Sequence, residues 1–532
     1  MADISYLDFD LLIEPSGQGY RAQVLDSPAG QASADFTLPF DDRDVENFLL
    51  RVGRPSRTVR RLESSEMEAA KAFGARLFDA VMGGEVRGSF RSSLDEANRQ
   101  GAGLRIRLRL RNAPQLADLP WEYLYNSSLN RFLALSVETP LVRFLDLPER
   151  VRPVKVSPPI RVLVMISSPT DYPQLNVEAE WKKLTEALND LEHGGRVTLE
   201  RLDDATLAAL QRRLRQGEYH IFHFVGHGEF DERTQDGVLL LEDEENRGRR
   251  VSGQYLGALL HDHRPLRLAI LNACEGARTS RTDPFAGTAQ SLVQQGIPAV
   301  IAMQFEVTDE AAITFAQEFY GALAGNYPVD AALAEARKAI FAQGNEVEWG
   351  TPVLYMRAED GRIFDVEQLS GEGQRKAEGT LLYRDAQAAV AAENWAAAIE
   401  KLQALLTLDP AHPEATALLG RARTRQDLAA LYKKGRDEYE ARHWREALEA
   451  FRQVQEIGGE YKEVAALMAM VRSELAKEQV ATAAPAVHGE RRLEAQRVSR
   501  PSGARLLWIG GIVGLLLVAG GGLVLRRSLI HI

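Results

Sequence analysis

Short apolar segments alternate with helical segments along the middle of the chain, and this alternation restricts the possible folds more than any other feature. Apolar runs with the length of strands lie at 160–167, 219–226, 266–272 and 299–305, and segments with helical spacing separate them. A strand that is apolar at nearly every position is buried on both faces, as in parallel sheets covered by helices. The sequence therefore predicts an α/β fold with a mostly parallel sheet flanked by helices.

Two of the predicted strands end in residues suited to catalysis. The stretch 220–228 reads HIFHFVGHG and ends in His227 and Gly228, and the stretch 268–276 reads LAILNACEG and contains Cys274. In open α/β sheets, active sites lie outside the carboxyl ends of the strands. If the two strands are neighbours, His227 and Cys274 meet at this edge.

Cys274 is the only cysteine among 532 residues. The thiolate is the reactive form, and a free cysteine has a pKa of about 8.5, so a neighbouring imidazole favours the nucleophile. The pair predicts acyl transfer by a Cys–His dyad. The alternative is that Cys274 is a small buried hydrophobic residue of the core. A single cysteine also excludes an intrachain disulfide and any multi-cysteine metal site.

His223 competes with His227 for the role of the base. It lies inside the strand, four residues before His227 and further from the strand end, so we predict a buried structural histidine. Two histidines with this spacing on a strand are about 13 Å apart. That distance argues against a zinc site, and no metal or cofactor is predicted.

The overall charge argues against a protein that binds nucleic acid through its phosphates. The formal net charge is -11 and the isoelectric point is about 5.6, whereas such proteins present a basic surface. The stretch 104–111 is locally basic, because an arginine occupies every second position. Its alternation predicts a strand with one buried face. We expect the arginine face to be solvated rather than to bind anions.

A helical region with internal similarity follows. Residues 370–379 are polar and are predicted to be a linker, and 380–479 contain two similar stretches that begin at Trp395 and Trp444. These stretches, WAAAIEKL and WREALEAF, resemble tetratricopeptide (TPR) repeats, although their offset of 49 residues exceeds one such repeat. The resemblance implies a surface that binds a protein or peptide partner. A plain helical spacer is the alternative.

The last part of the sequence suggests a membrane anchor. Residues 480–504 are predicted to be a flexible stalk, and 505–526 a transmembrane helix, because 506–525 are twenty residues without a charge. That length is sufficient to cross a hydrocarbon core of about 30 Å. No signal peptide is recognisable at the N-terminus. We therefore expect a single-pass membrane protein whose N-terminal bulk lies in the cytoplasm.

Several short motifs occur in the order typical of the CHAT domain family, whose members are caspase-like and related to separase. The region from about 104 to 355 resembles this family. The motifs that carry the resemblance are LPWEYLY at 119–125, FLAL at 132–135, FVGHG at 224–228, LNACEG at 271–276 and DPF at 283–285.

The resemblance implies a caspase-like fold with two halves. Residues 1–150 would form a degenerate half and 151–369 the catalytic half that hydrolyses peptide bonds. Cys274 would be the nucleophile, His227 the general base and acid, and the backbone N–H groups of Gly228 and Cys274 the oxyanion hole.

The sequence thus predicts a membrane-anchored, caspase-like cysteine endopeptidase that cleaves a protein substrate, with TPR-like helices that recruit partners or regulate it, in signalling or defence. The rival hypothesis is a non-enzymatic membrane-bound adaptor that uses both regions as a binding scaffold. The intact His227 and Cys274 pair favours the enzyme.

Overall fold

The computed structural model of the protein describes residues 4–52, 65–231, 233, 236–273, 284–305, 307–367, 371–459 and 461–482. The chain divides into two compact units, Met1–Ala429 and Ala430–Ile532. The strands are β1 (Tyr6–Ser16), β2 (Gly19–Asp26), β3 (Ala32–Phe36), β4 (Gly103–Arg109), β5 (Tyr125–Asn126), β6 (Arg131–Phe132), β7 (Leu141–Phe144), β8 (Val154–Val156), β9 (Ile160–Ile166), β10 (Val197–Arg201), β11 (Ile221–Gly226), β12 (Gly228–Asp231), β13 (Asp236–Glu242), β14 (Gly248–Ser252), β15 (Leu268–Ala273), β16 (Ala299–Met303), β17 (Pro352–Met356) and β18 (Phe364–Val366). The α-helices are α1 (Asp42–Val52), α2 (Ser65–Val81), α3 (Gly84–Arg99), α4 (Val177–His193), α5 (Leu207–Gln216), α6 (Gly253–His261), α7 (Pro284–Gln294), α8 (Asp309–Ala324), α9 (Val329–Ala342), α10 (Gly371–Ala391), α11 (Trp395–Leu408), α12 (Pro413–Glu440), α13 (Trp444–Gly458) and α14 (Val464–Thr482).

An eleven-stranded sheet forms the centre of the described part of the first unit. Its order is β10-β9-β11-β15-β16-β17-β7-β4-β1-β2-β3. All neighbours in this sheet are parallel except β16 with β17, β1 with β2 and β2 with β3. The predicted α/β fold with a mostly parallel sheet is confirmed.

Alternate residues of the central strands fill two cores on opposite faces of the sheet. In β11, Ile221 and Val225 belong to one core, and Phe222 and Phe224 belong to the other. Helices α4, α8 and α9 cover the first face, and α5, α6 and α7 cover the second. Burial on both faces explains why these strands are apolar at successive positions.

The basic strand β4 differs from the expected solvated face. Arg105 and Arg107 are only 2% and 9% exposed. Asp8 of the neighbouring β1 forms ion pairs with both of these arginines, and Asp10 forms them with Arg107 and Arg109. Because β1 and β4 are parallel, Asp8 lies opposite Arg105 and Asp10 opposite Arg107, and each aspartate also reaches the next arginine along β4. The alternation predicted the strand, but the acids that compensate its charge lie about one hundred residues earlier.

The sheet is continuous from the N-terminal segment to the region of the predicted active site, because β17 pairs with β7. A buried ion pair lies beside this junction. Arg143 of β7 donates to both carboxylate oxygens of Glu122, at 3.2 and 2.9 Å. Gln304, which follows β16, also donates to Glu122, at 3.4 Å. Glu122 of the LPWEYLY motif therefore joins the two parts of the sheet.

The helices after the sheet begin earlier than expected, because α10 starts at Gly371 within the predicted linker. In the first unit, α10, α11 and the first part of α12 share a small core that includes Ala386, Leu402 and Leu419. In the second unit, α13 packs against α14, and the ring of Phe451 is fully buried.

The expected membrane location is contradicted. Within the described residues, no helix combines the length and the apolar character that crossing a membrane requires. Helix α14 is long enough, but it carries Arg472, Glu474, Lys477 and Glu478. The predicted stalk and anchor, 480–504 and 505–526, lie outside the described residues except for 480–482.

Candidate active site

His227 lies between β11 and β12, at the carboxyl edge of the sheet, and is 2% exposed. Strand β11 is bonded on both sides, to β9 and to β15, so its end is fixed within the sheet. Gly228 begins β12 opposite Leu239 of β13, and the carbonyl of His227 accepts from the Leu240 N–H at 3.0 Å. The backbone on both sides of the imidazole is therefore held in sheet structure.

The imidazole of His227 is oriented by a carbonyl group. Its Nε2 lies 2.7 Å from the carbonyl oxygen of Pro173, in the loop between β9 and α4. A carbonyl oxygen only accepts, so Nε2 carries a proton and donates it. In the neutral ring, Nδ1 then has the free lone pair, which is the requirement for a general base.

Tyr172 packs against the same imidazole. The two ring centroids are 6.2 Å apart at an interplanar angle of 28°. The Tyr172 hydroxyl donates to Glu229, which also forms an ion pair with Arg250 at 3.0 Å. Burial, followed by the negative charge of Glu229, raises the pKa of Tyr172. Tyr172 thus lies between the His227 ring and the Glu229 carboxylate.

The loop that carries Tyr172 and Pro173 is itself fixed to β14. Asp171 accepts the backbone N–H of Gly248 at 2.6 Å. A Cβ at Gly248 would approach the Tyr172 ring to 2.4 Å, so any larger residue here would displace that ring. Neither Tyr172 nor Pro173 was found by sequence reasoning, because a carbonyl that orients a distant histidine has no residue-type signature.

The strand that leads to Cys274 lies directly beside β11. Gly226 pairs with Ala273 across the parallel strands, and these residues immediately precede His227 and Cys274 in the chain. Cys274 itself lies outside the described residues. Asn272, two positions earlier, is half-buried, and its Oδ1 has no hydrogen-bond partner among the described residues.

His223 is buried inside β11, with 4% exposure. Its Nδ1 shares a hydrogen bond of 2.8 Å with the hydroxyl of Tyr320 on α8. Burial lowers the pKa of His223 to about 4. A histidine that is neutral and bonded within the core is suited to packing rather than to proton transfer at the edge of the sheet.

We expect His223 to make the fold sensitive to acid. The unfolded chain binds a proton near pH 6.5, whereas the folded chain does so only near pH 4. The free energy of unfolding is therefore not reduced by His223 above pH 6.5, and it falls by about 3 kcal/mol as the pH is lowered to 4. Denaturant titrations between pH 4 and 7 should show a smaller loss for His223→Gln. The exposed His443→Gln is the control, and equal pH slopes for both variants would contradict the prediction.

The described residues contain no group of three or more histidine, cysteine, aspartate or glutamate side chains that could hold a metal ion.

Comparison with protein families gives a match to the CHAT domain over residues 71–398, more than half of the chain. The chain belongs to the CHAT domain family. The TPR-like character of the later helices is not part of this match and stays a prediction.

No curated protein matches this CHAT domain protein. Among solved structures, it is similar to the separase–securin complex of Saccharomyces cerevisiae, with 15% identity and a TM-score of 0.28 over 60% of this chain and 22% of that one. It is also similar to the Arg-specific cysteine proteinase gingipain R (RgpB), with 11% identity and a TM-score of 0.31 over 61% and 75% of the two chains. A third similar structure is the Drosophila initiator caspase Dronc, with 11% identity and a TM-score of 0.23 over 43% and 96%. The chain therefore spans less than a quarter of the yeast separase chain.

Proposed function

We propose that the protein is a cysteine endopeptidase with Cys274 as nucleophile and His227 as base. The supporting observation is the pairing of Gly226 with Ala273, because neighbouring parallel strands lie about 4.8 Å apart. In the sequence, the residues that follow Gly226 and Ala273 are His227 and Cys274, the two proposed catalytic residues. Membership of the CHAT domain family supports the same reading.

The proposed reaction is acyl transfer to a thiolate. Nδ1 of His227 takes the proton from the Cys274 thiol, and the sulfur attacks the carbonyl carbon of the scissile peptide bond. The backbone N–H groups of Gly228 and Cys274 would donate to the resulting oxyanion. The imidazolium then protonates the leaving amine, which releases the first product and leaves a thioester. Water, activated by the same imidazole, hydrolyses the thioester and regenerates the thiol.

The hydrogen bond to Pro173 supports this role for His227. When Nδ1 takes up the proton, the ring becomes positive, and the Pro173 carbonyl dipole stabilises that charge through Nε2. Tyr172 covers one side of the ring and keeps Nδ1 in place.

We also propose that the helices after the sheet bind a protein partner and influence this site. Helix α10 contacts α4 through His193 and Asp385, at 3.4 Å, and through Arg384 and Glu192, at 3.4 Å. Helix α4 follows directly on the loop that contains Tyr172 and Pro173. A partner that moved α10 would thus act on the element next to the loop that orients His227.

The test of the proposed dyad uses the single thiol. The alkylation rate of the full chain is measured against pH, for the wild type and for His227→Ala. We expect the wild-type thiol to react with an apparent pKa well below about 8.5, and the variant to return to that value. His443→Ala, at an exposed histidine, controls for nonspecific effects. If the thiol reacted slowly and identically in all three proteins, Cys274 would be a core residue and the adaptor hypothesis would be favoured.

A further inference from the structure

Two arginines lie on either side of β16, at the edge of the sheet opposite the proposed active site. Arg267 precedes β15 and Arg357 follows the antiparallel β17, so both are at the amino edge of the parallel strands. The Ala299 N–H donates to the Arg267 carbonyl, and the Arg357 N–H donates to the Pro298 carbonyl. The two arginines therefore flank Pro298 on either side, and their Cα atoms are about 10 Å apart, or two strand spacings.

Both side chains are on the same face of the sheet. Strand residues alternate between faces, and the next residues on this face, Ala269 and Tyr355, belong to the core under α5, α6 and α7. Nη1 of Arg357 lies 3.8 Å from the point that a Cβ of Gly296 would occupy, just after α7. The same point lies only 2.7 Å from Nδ1 of His261, so glycine makes room for the His261 ring next to Arg357, and its φ of +114° disfavours any other residue.

The positive charge of this pair is incompletely compensated. Arg357 is 7% exposed and donates through Nη2 to the Glu149 carbonyl at 2.6 Å and to its carboxylate at 3.1 Å, but the buried Nε of Arg357 has no partner among the described residues. Arg267 is half-buried, its Nε also has no partner there, and no described carboxylate forms an ion pair with it. Burial, and then the charge of Arg357, lowers the pKa of Arg267.

Such an arrangement is unfavourable unless an anion completes it. A partly buried charge costs free energy when it has neither a counter-charge nor a full set of hydrogen bonds. One carboxylate already occupies Arg357, so a further ligand must accept from the Arg267 fork and from the remaining donors of Arg357. A phosphate group has enough oxygen atoms to accept from two guanidinium groups at once.

We propose that Arg267 and Arg357 form a binding site for a small phosphate-bearing anion at this edge of the sheet. The site is separate from the proposed dyad and does not depend on peptidase activity. It is also separate from the arginines of β4, whose charges Asp8 and Asp10 compensate.

The test measures binding to the full chain by calorimetry at constant ionic strength. The probes are inorganic phosphate, pyrophosphate and a nucleoside triphosphate, with citrate as a carboxylate comparison. We expect at least one phosphate probe to bind the wild type more tightly than citrate. Arg267→Gln should weaken that binding about tenfold or more, because charge-assisted hydrogen bonds are lost. The control is Arg264→Gln, an exposed arginine of the same loop, which should bind normally.

A second variant covers the case in which Arg267→Gln fails to fold. Arg357→Lys keeps the charge but removes the planar fork, and weaker phosphate binding is again expected. Comparing the three phosphate probes distinguishes a free anion from a nucleotide as the source of the phosphate. The proposal is overturned if no phosphate probe binds the wild type, if citrate binds as tightly, or if both substitutions leave phosphate binding unchanged.

Discussion

Substituting His227 by alanine is expected to lower peptide hydrolysis by about two to four orders of magnitude, which is the usual contribution of a general base. Cys274→Ala should remove the activity altogether, because no other cysteine can replace the nucleophile. The measurement is the cleavage of a denatured protein and of a mixed peptide library, with the products separated by mass spectrometry. Because both mixtures contain many different peptide bonds, the natural substrate does not have to be identified first.

Two variants of Tyr172 make this experiment more specific. Tyr172→Phe keeps the ring beside His227 but loses the hydroxyl that donates to Glu229, so a small loss of rate is expected. Tyr172→Ala also removes the ring and should cost more, mainly in kcat, because the imidazole is no longer held in place. If His227→Ala cleaved peptides as fast as the wild type, the proposed peptidase mechanism would be excluded.

The sequence could predict the strands of this site, because each strand is encoded by one short, continuous run of residues. The apolar runs that lead to His227 and to Cys274 predicted two strands of a mostly parallel sheet, and the structure shows that these strands are neighbours, with Gly226 paired to Ala273. A strand that is apolar on both faces usually lies inside a parallel sheet that is covered by helices on both sides. The meeting of His227 with Cys274 remains a prediction, because Cys274 lies outside the described residues.

The groups that orient His227 could not be predicted, because their contacts with the imidazole do not depend on a recognisable type of side chain. Pro173 contributes a backbone carbonyl, which every residue has, and it lies 54 positions away in the chain. Tyr172 is recognisable only once the loop after β9 is seen against β14. Loop conformation depends on contacts between distant segments, and a pattern of residues within one segment does not contain them.

The arginines of β4 show the same limit in an element that was predicted correctly. The alternation of apolar residues and arginines predicted the strand and its buried apolar face. The arginine face, however, was expected to be exposed to solvent. The acidic residues that pair with these arginines come from two other segments: Asp8 and Asp10 lie on β1, and Asp330 lies on α9. A charged side chain is usually exposed, but it can be buried when oppositely charged residues from other segments pair with it.

Removing the carboxylate of Asp330 is expected to destabilise the fold by about 3–5 kcal/mol, the usual effect of breaking a buried ion pair. Asp330 accepts from Nε of Arg105 at 2.6 Å, and the two side chains are 0% and 3% exposed. In Asp330→Ala the Arg105 charge stays buried and loses its shortest ion pair, while it keeps the longer one with Asp8 and the hydrogen bonds to the carbonyls of Glu359 and Asp360. Urea unfolding followed by tryptophan fluorescence is the measurement.

A matched control separates burial from the ion pair as such. Arg21 and Asp35 lie 2.8 Å apart in the N-terminal strands, but their side chains are 44% and 62% exposed. Asp35→Ala should leave the unfolding free energy nearly unchanged, because water already solvates both groups. Arg105→Met combined with Asp330→Ala should recover much of the lost stability, since no unpaired charge remains buried.

The outcome bears on how the two parts of the sheet depend on each other. Arg105 belongs to β4 in the N-terminal segment, and Asp330 lies in the first turn of α9, which contacts α8 and β17. If the pair contributes as expected, Asp330→Ala should unfold both parts in a single transition, because the sheet is continuous through β7 and β17. Two separate transitions, with only the first shifted, would show instead that the N-terminal segment unfolds independently and that the catalytic strands do not need it.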